Sequence, residues 1–208
     1  MARLMASKCR QCRREGLKLF LKGTRCDSAK CAYTKRDYPP GKRSFRRGRP
    51  SDYALQLREK QKVKRYYGLS ETQFRVVFAR ASKTHGNTGM ALLSLLERRL
   101  DNVLYLSGLV SSRPAARQLV VHGHIILNGR RSKTPSQVLK SDDVVTFSTD
   151  EGIQKMVAAA LEMTKGRTRP GWMEVLETPP SIRVIAAPSR EEISVPTEEQ
   201  LIIELLSK

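Results

Sequence analysis

Apolar residues recur at helical spacing through most of the chain and at strand spacing in a few short runs, which predicts a mainly helical α+β fold. The densest pattern lies in residues 98–129, RRLDNVLYLSGLVSSRPAARQLVVHGHIILNG. Leu96, Leu100, Val103 and Leu104 follow the i, i+4, i+7, i+8 spacing of one buried helix face, and Gly108 supplies a left-handed stop. A second helix follows: Ser112 can cap it, Pro114 lies in the first turn where a missing N–H costs little, and Ala116, Leu119 and Val120 form the apolar stripe. Gly123 ends that helix, residues 124–127 read as a strand, and Asn128-Gly129 is the strongest short hairpin signal. Arg113 and Arg117 stand four apart and share a face. This pattern gathers guanidiniums, the imidazoles of His122 and His124, and Asn128 at one corner.

Upstream, Ser51 can cap a helix over about 52–67. Its few aliphatic groups, Leu55, Leu57 and Val63, stand among Arg58, Lys60, Lys62, Lys64 and Arg65, and a helix so polar calls for an outside partner. Gly68 stops it, and Ser70 with Gln73 forms a capping box for a helix carrying Phe74, Val77, Phe78 and Ala81. Residues 85–89 read as a turn. Downstream come a strand over 144–147, with Asp142 tolerating a left-handed turn before it. A helix carrying Ile153, Met156, Val157, Ala160 and Leu161 follows, then strands near 173–176 and 182–185. A capping box of Thr197 and Gln200 launches a terminal helix with Leu201, Ile202 and Leu205.

Charge changes the picture. The chain has 208 residues, 39 Lys+Arg against 20 Asp+Glu, and a formal charge of +19. Residues 1–70 hold 21 basic and 5 acidic side chains, whereas 71–208 hold 18 and 15. A polyanionic partner is the default reading, with the first third as its most basic part. Aromatics are 6% of residues, too few for a broad base-stacking platform, so recognition should rest on phosphates, 2′-hydroxyls and RNA shape. No stretch approaches the roughly 18–20 apolar residues of a membrane span, and MARLMASKCR lacks the apolar region of a signal peptide. The expected location is therefore the compartment of synthesis, the cytoplasm, with no membrane partner. Tyr38-Pro39-Pro40-Gly41 reads as a rigid bend, and Lys42, Arg43, Arg46, Arg47 and Arg49 follow as a basic arm able to track a phosphate groove.

All four cysteines lie in the first 31 residues, as Cys9-x2-Cys12 and Cys26-x4-Cys31. Two close pairs separated by a short loop suit tetrahedral thiolate coordination of one structural zinc ion. Basic neighbours such as Lys8, Arg10 and Arg25 favour thiolates. An iron–sulfur cluster is the alternative, disulfides fit poorly in a chain with no export signal, and four sulfurs leave no open position for a catalytic metal.

The motif at 98–129 resembles the small RNA-binding module named after bacterial small-subunit ribosomal protein four, whose pattern is RLD…R…AR-x-LV-x-HGH-x-x-VNG. The resemblance extends to the uS4 family itself through YALQLREKQKVKR at 53–65, Gln73-Phe74-Arg75, Tyr38-Pro39-Pro40-Gly41, Pro170-Gly171-Trp172, Pro188-Ser189-Arg190-Glu191 and Glu199-Gln200-Leu201-Ile202. It covers the chain nearly end to end. Leu205-Leu206 stands where an aromatic pair is usual, and Ser141-Asp142-Asp143 where a glycine commonly precedes the aspartate.

The resemblance implies three regions: a zinc-binding segment at 1–41, a helical domain at 42–95 completed by 175–208, and an inserted RNA-binding module with its extension at 96–174. It implies a structural role without catalysis in the small ribosomal subunit, on a bacterial or organellar ribosome. The implied work is binding 16S-type rRNA early, in the 5′ domain, with a part in decoding accuracy, contact with small-subunit protein five and, in many members, repression of the protein's own mRNA. Some members carry a four-cysteine zinc site here. Within the module, Arg98, Arg99, Arg113, Arg117, His122, His124 and Asn128 are the implied RNA contacts, and Arg58, Lys62 and Arg65 extend them on the basic helix. Two other readings compete: an RNA-modifying enzyme that borrows the module, and a zinc-dependent DNA-binding regulator. The first lacks a catalytic domain of adequate length or any nucleotide or metalloprotease motif.

Overall fold

A computed structural model describes residues 6–41 and 49–207. The chain divides into two compact units, Met1–Leu92 with Val195–Lys208, and Leu93–Ser194.

In the first unit, α1 (Lys8–Glu15) ends at the left-handed Gly16, a 3-10 turn spans Gly23–Cys26, and α2 (Ala32–Lys35) is one turn long. The bend at 38–41 is held from α1: Arg13 donates through Nε to the carbonyl of Tyr38 at 2.9 Å and lies over the Tyr38 ring. Helix α3 (Asp52–Tyr66) starts where its cap requires, with Ser51 Oγ accepting from the N–H of Ala54. Helix α4 (Glu71–Ala81) carries both bonds of the Ser70–Gln73 capping box. Asn87 Oδ1 then accepts from the N–H groups of Gly89 and Met90 at the start of α5 (Thr88–Glu97).

Helix α9 (Glu199–Leu206) packs along α3. Its approach requires a glycine in α5, since a Cβ on Gly89 would stand 2.7 Å from Glu199 Cβ. The expected Thr197–Gln200 capping box does not form: α9 is entered through Glu198 without a side-chain cap, and Thr197 Oγ1 instead donates to Glu59 on α3. Anchoring the segment to its neighbour wins over capping its own helix.

In the second unit, the face of Leu96, Leu100, Val103 and Leu104 is fully buried, but it is not one helix. Helix α5 ends at Glu97 and α6 (Leu100–Leu106) starts afresh, because the backbone of residues 98–101 pairs with the loop at 135–139. The N–H of Leu139 donates to the carbonyl of Arg98 and that of Leu100 to the carbonyl of Gln137, both at 2.8 Å. Such ladder bonds are incompatible with continuing the helix. Helix α7 (Arg113–His122) follows with Ser112 as cap, Pro114 in its first turn and Gly123 at its end.

Strands β1 (Ile125–Leu127) and β2 (Arg130–Ser132) form the hairpin. Asn128 and Gly129 both have positive φ, 49° and 78°, as a two-residue primed turn demands. With β3 (Val144–Phe147), β4 (Met173–Glu177) and β5 (Pro180–Val184) they make one antiparallel sheet in the order β2-β1-β3-β5-β4. Helix α8 (Glu151–Thr164) adds Val157 to a core built on Leu100, Leu104, Leu119, Ile125 and Val145, with Trp172 and Ile182.

Pairing of Val145 with Ile182 assigns β4 and β5 to this unit. The boundary expected after residue 174 therefore lies after Ser194, because the sheet, not the terminal helix, takes residues 175–184.

Candidate nucleic-acid interface

The corner at α6 and α7 is organised around one carboxylate. Arg99 donates to both oxygens of Asp101, at 3.0 and 2.8 Å, and Arg117 donates to Oδ2 at 3.2 Å. Arg99 is 2% exposed and Asp101 5%, so this is a buried bidentate pair with a third, half-buried member at its edge. Arg113 is also buried, at 5%. Its Nε donates to Asn102 Oδ1 at 2.7 Å, its guanidinium lies over the Tyr105 ring, and the Asn102 amide in turn donates to Glu97.

These positions correct the expectation that Arg99 and Arg113 face outward on an RNA surface. Both brace the fold, because a buried guanidinium without partners is too costly to keep. Arg98 is half-buried, and its Nε has no hydrogen-bond partner among the described residues.

Asn128 acts structurally as well. Its amide donates to Asp143, and its carbonyl accepts from the N–H of Val144, both at 2.8 Å, tying the hairpin turn to the start of β3. His122 is exposed and His124 half-buried, with ring centres 6.2 Å apart beside the hairpin. On that hairpin, Arg130, Arg131 and Lys133 are exposed, and the side chains of Arg131 and Lys133 pass over Gly123 between the two histidines. These three cations were not among the residues expected at the interface. The signal for them was the basic run directly after Asn128-Gly129, which puts it on the returning strand of a hairpin.

The basic helix α3 is neutralised largely from within its own unit. Arg58 and Arg65 both pair with Glu15, whose side chain is 1% exposed; Lys62 pairs with Glu59, and Lys60 and Lys64 with Glu71. An outside partner is therefore not needed to hold this helix. Burial pushes the Glu15 carboxyl up despite Arg65 and Arg58. Burial acts the same way on Glu71, but the ammonium groups of Lys60 and Lys64 hold it down at about 2. Arg49 is exposed, and Lys42, Arg43, Arg46 and Arg47 lie outside the described residues.

The four cysteines, none of them in a disulfide, line one pocket together with Leu21 and Tyr33. The N–H of Lys22 donates to Cys26 Sγ at 3.4 Å. Burial raises the Cys12 and Cys26 thiols, each helped by the charge of the other cysteines, while N–H donors of Thr34 and Tyr33 outweigh burial at Cys31 and lower it. Among the described residues no group of three or more His, Cys, Asp or Glu stands close enough to hold a metal as placed. All four cysteines line the one pocket, and backbone N–H groups are aimed at the sulfurs of Cys12, Cys26 and Cys31, the donor chemistry that a soft-ligand ion takes.

Comparison with known proteins decides the family. Residues 3–97 match the family described as Ribosomal protein S4/S9 N-terminal domain, and residues 98–145 match the S4 domain. A Small ribosomal subunit protein uS4 from Trichlorobacter lovleyi is 50% identical over all 208 residues of both chains. The chain belongs to the uS4 family. A uS4 protein of Clostridioides difficile and a uS4A protein of Alkaliphilus metalliredigens are likewise 50% identical across their full lengths. The S4-domain match of this uS4 family member begins at Arg98 and includes the whole α6–α7 corner and the β1–β2 hairpin. Among its described residues no helix is long and apolar enough to cross a membrane.

Proposed function

We propose that this chain is a structural constituent of the small ribosomal subunit that binds small-subunit rRNA directly and catalyses no reaction. The observation that carries the reading is the exposed cation set on the S4 domain: Arg130, Arg131 and Lys133 around His122 and His124, backed by the rigid Arg99–Asp101–Arg117 network. A folded RNA repels itself, and cations fixed on a rigid frame lower that repulsion while favouring one arrangement of its helices. Asp101, already shared by two arginines, orients Arg117 toward the corner rather than adding a repulsive charge of its own.

The finer assignments belong to the same proposal. The RNA region is the 5′ domain, contacted also by Arg49, Arg58, Lys62, Arg65 and the arm at 42–48. The neighbour is small-subunit protein five, for which the 7 acidic and 3 basic side chains of residues 174–208 suit a basic partner. Repression of its own mRNA and a part in decoding accuracy complete it, in the cytoplasm or on an organellar ribosome. One structural zinc held by Cys9, Cys12, Cys26 and Cys31 would order the segment before the bend; its binding displaces thiol protons, so affinity weakens as pH is lowered.

The test is a salt titration of the full chain on a 5′-domain rRNA fragment, with footprinting at low salt and duplex DNA as competitor. Each neutralised phosphate contributes roughly −0.7 to −0.9 to the log–log slope. A flat slope, or DNA competing as well as the rRNA fragment, overturns the reading.

A further inference from the structure

Arg167 lies beyond the segment matched to the S4 domain, in the turn after α8, and its surroundings are unusual for an arginine. Its guanidinium lies over the ring of Tyr105, 4.6 Å from the centre, and Arg113 lies over the same ring at 4.2 Å. Two like charges are thus held well within one Debye length, about 10 Å at 0.1 M salt. No carboxylate among the described residues pairs with Arg167, and its Nη1 is buried without a hydrogen-bond partner. Its sequence neighbour Arg169 is instead paired, with Glu177 at 3.0 Å.

The chain builds this arrangement deliberately. Thr164 Oγ1 stands 2.9 Å from the carbonyl oxygens of Gly108 and Ala160, which fastens the end of α8 to the end of α6. Gly108 permits the approach, since a Cβ there would stand 2.9 Å from that same oxygen. The N–H of Arg167 then donates to the carbonyl of Thr164 at 2.8 Å, fixing where its side chain starts.

We propose that Arg167 is a ligand for a backbone phosphate of rRNA, with Tyr105 as the positioning residue that holds it beside Arg113. The inference rests on the rRNA-binding reading and deepens it. A half-buried permanent cation with no carboxylate partner gains from an anion at its open side, and a phosphodiester oxygen supplies both the charge and the acceptor. Tyr105 gives the guanidinium a face to rest on without consuming its donors.

The experiment compares full-length wild type, Arg167→Gln, Arg167→Lys and Arg169→Gln in salt titrations on the 5′-domain rRNA fragment, with thermal midpoints measured beside them. Arg167→Gln should weaken binding by about tenfold or more. Its salt slope should shrink by about 0.7–0.9, the loss of one phosphate contact. Its midpoint should stay near wild type, since the lost contact with the Tyr105 ring is offset by removal of a charge that repels Arg113. Arg167→Lys should keep the slope and lose part of the affinity, and Arg169→Gln should leave both near wild type. Wild-type slope and affinity in Arg167→Gln, or a lowered midpoint with unchanged slope, overturns the assignment and makes Arg167 a brace. Failure of the wild type itself to bind overturns the rRNA reading instead, and this inference with it.

Discussion

Arg113 donates through Nε to Oδ1 of Asn102 at 2.7 Å, a contact between the starts of α7 and α6 that makes this arginine part of the fold. Replacing it with Ala leaves a buried acceptor without its donor and bares the Tyr105 ring. The expected loss is about 2–4 kcal/mol, from a buried hydrogen bond to a charged group plus a cation–π contact. Arg117→Ala should cost under about 1 kcal/mol, because Arg99 still holds both oxygens of Asp101. Thermal midpoints of the two single variants check this, and equal midpoints would contradict it.

Acid should weaken the first unit in a way that depends on Glu71. Its folded-state value of about 2 lies below the ordinary carboxylate value, so the unfolded chain binds its proton first as pH falls. The resulting stability is fully present above about pH 4.5 and is lost progressively as pH drops toward 2. Glu71→Gln should be less stable at pH 7 and should lose less than wild type between pH 5 and pH 3. Urea unfolding at the three pH values measures it; an unchanged acid slope would refute the Lys60–Glu71–Lys64 assignment.

Gly108→Ala should destabilise the second unit by more than about 1 kcal/mol. Its φ of +81° is strained for any side chain, and the added methyl meets Thr164. Because this contact fixes the end of α8, the substitution should also weaken rRNA binding, an effect read by running both assays on one preparation.

Purified protein should carry one equivalent of zinc. Cys12→Ser or Cys26→Ser should abolish it, and chelation should raise hydrogen exchange in residues 6–41 while leaving the S4 domain protected. Exchange unchanged by chelation would show that the segment holds itself together without metal.

Local signals in the sequence carried far in this protein. Ser51, the Ser70–Gln73 box, Ser112 with Pro114, Gly108, Gly123 and Asn128-Gly129 each mark an element end that the structure keeps, because capping and turn chemistry act over three or four residues. The sequence likewise determined the buried face of Leu96, Leu100, Val103 and Leu104, the +19 charge that calls for a polyanion, and a motif specific enough to point to the family. Tertiary structure decided which cations are spent inside. Arg99 and Arg113 read the same as Arg130 and Arg131 along the chain, yet Asp101 and Asn102 capture the first pair while the hairpin edge leaves the second exposed. It also decided that Thr197 serves Glu59 rather than its own helix, and that residues 98–101 leave the helix to pair with 135–139. Thr197 with Glu59 and residues 98–101 with 135–139 turn on partners far away in sequence, while Arg99, only two residues from Asp101, turns on burial; in each case the energy of the buried charge or backbone group depends on the partner the fold supplies.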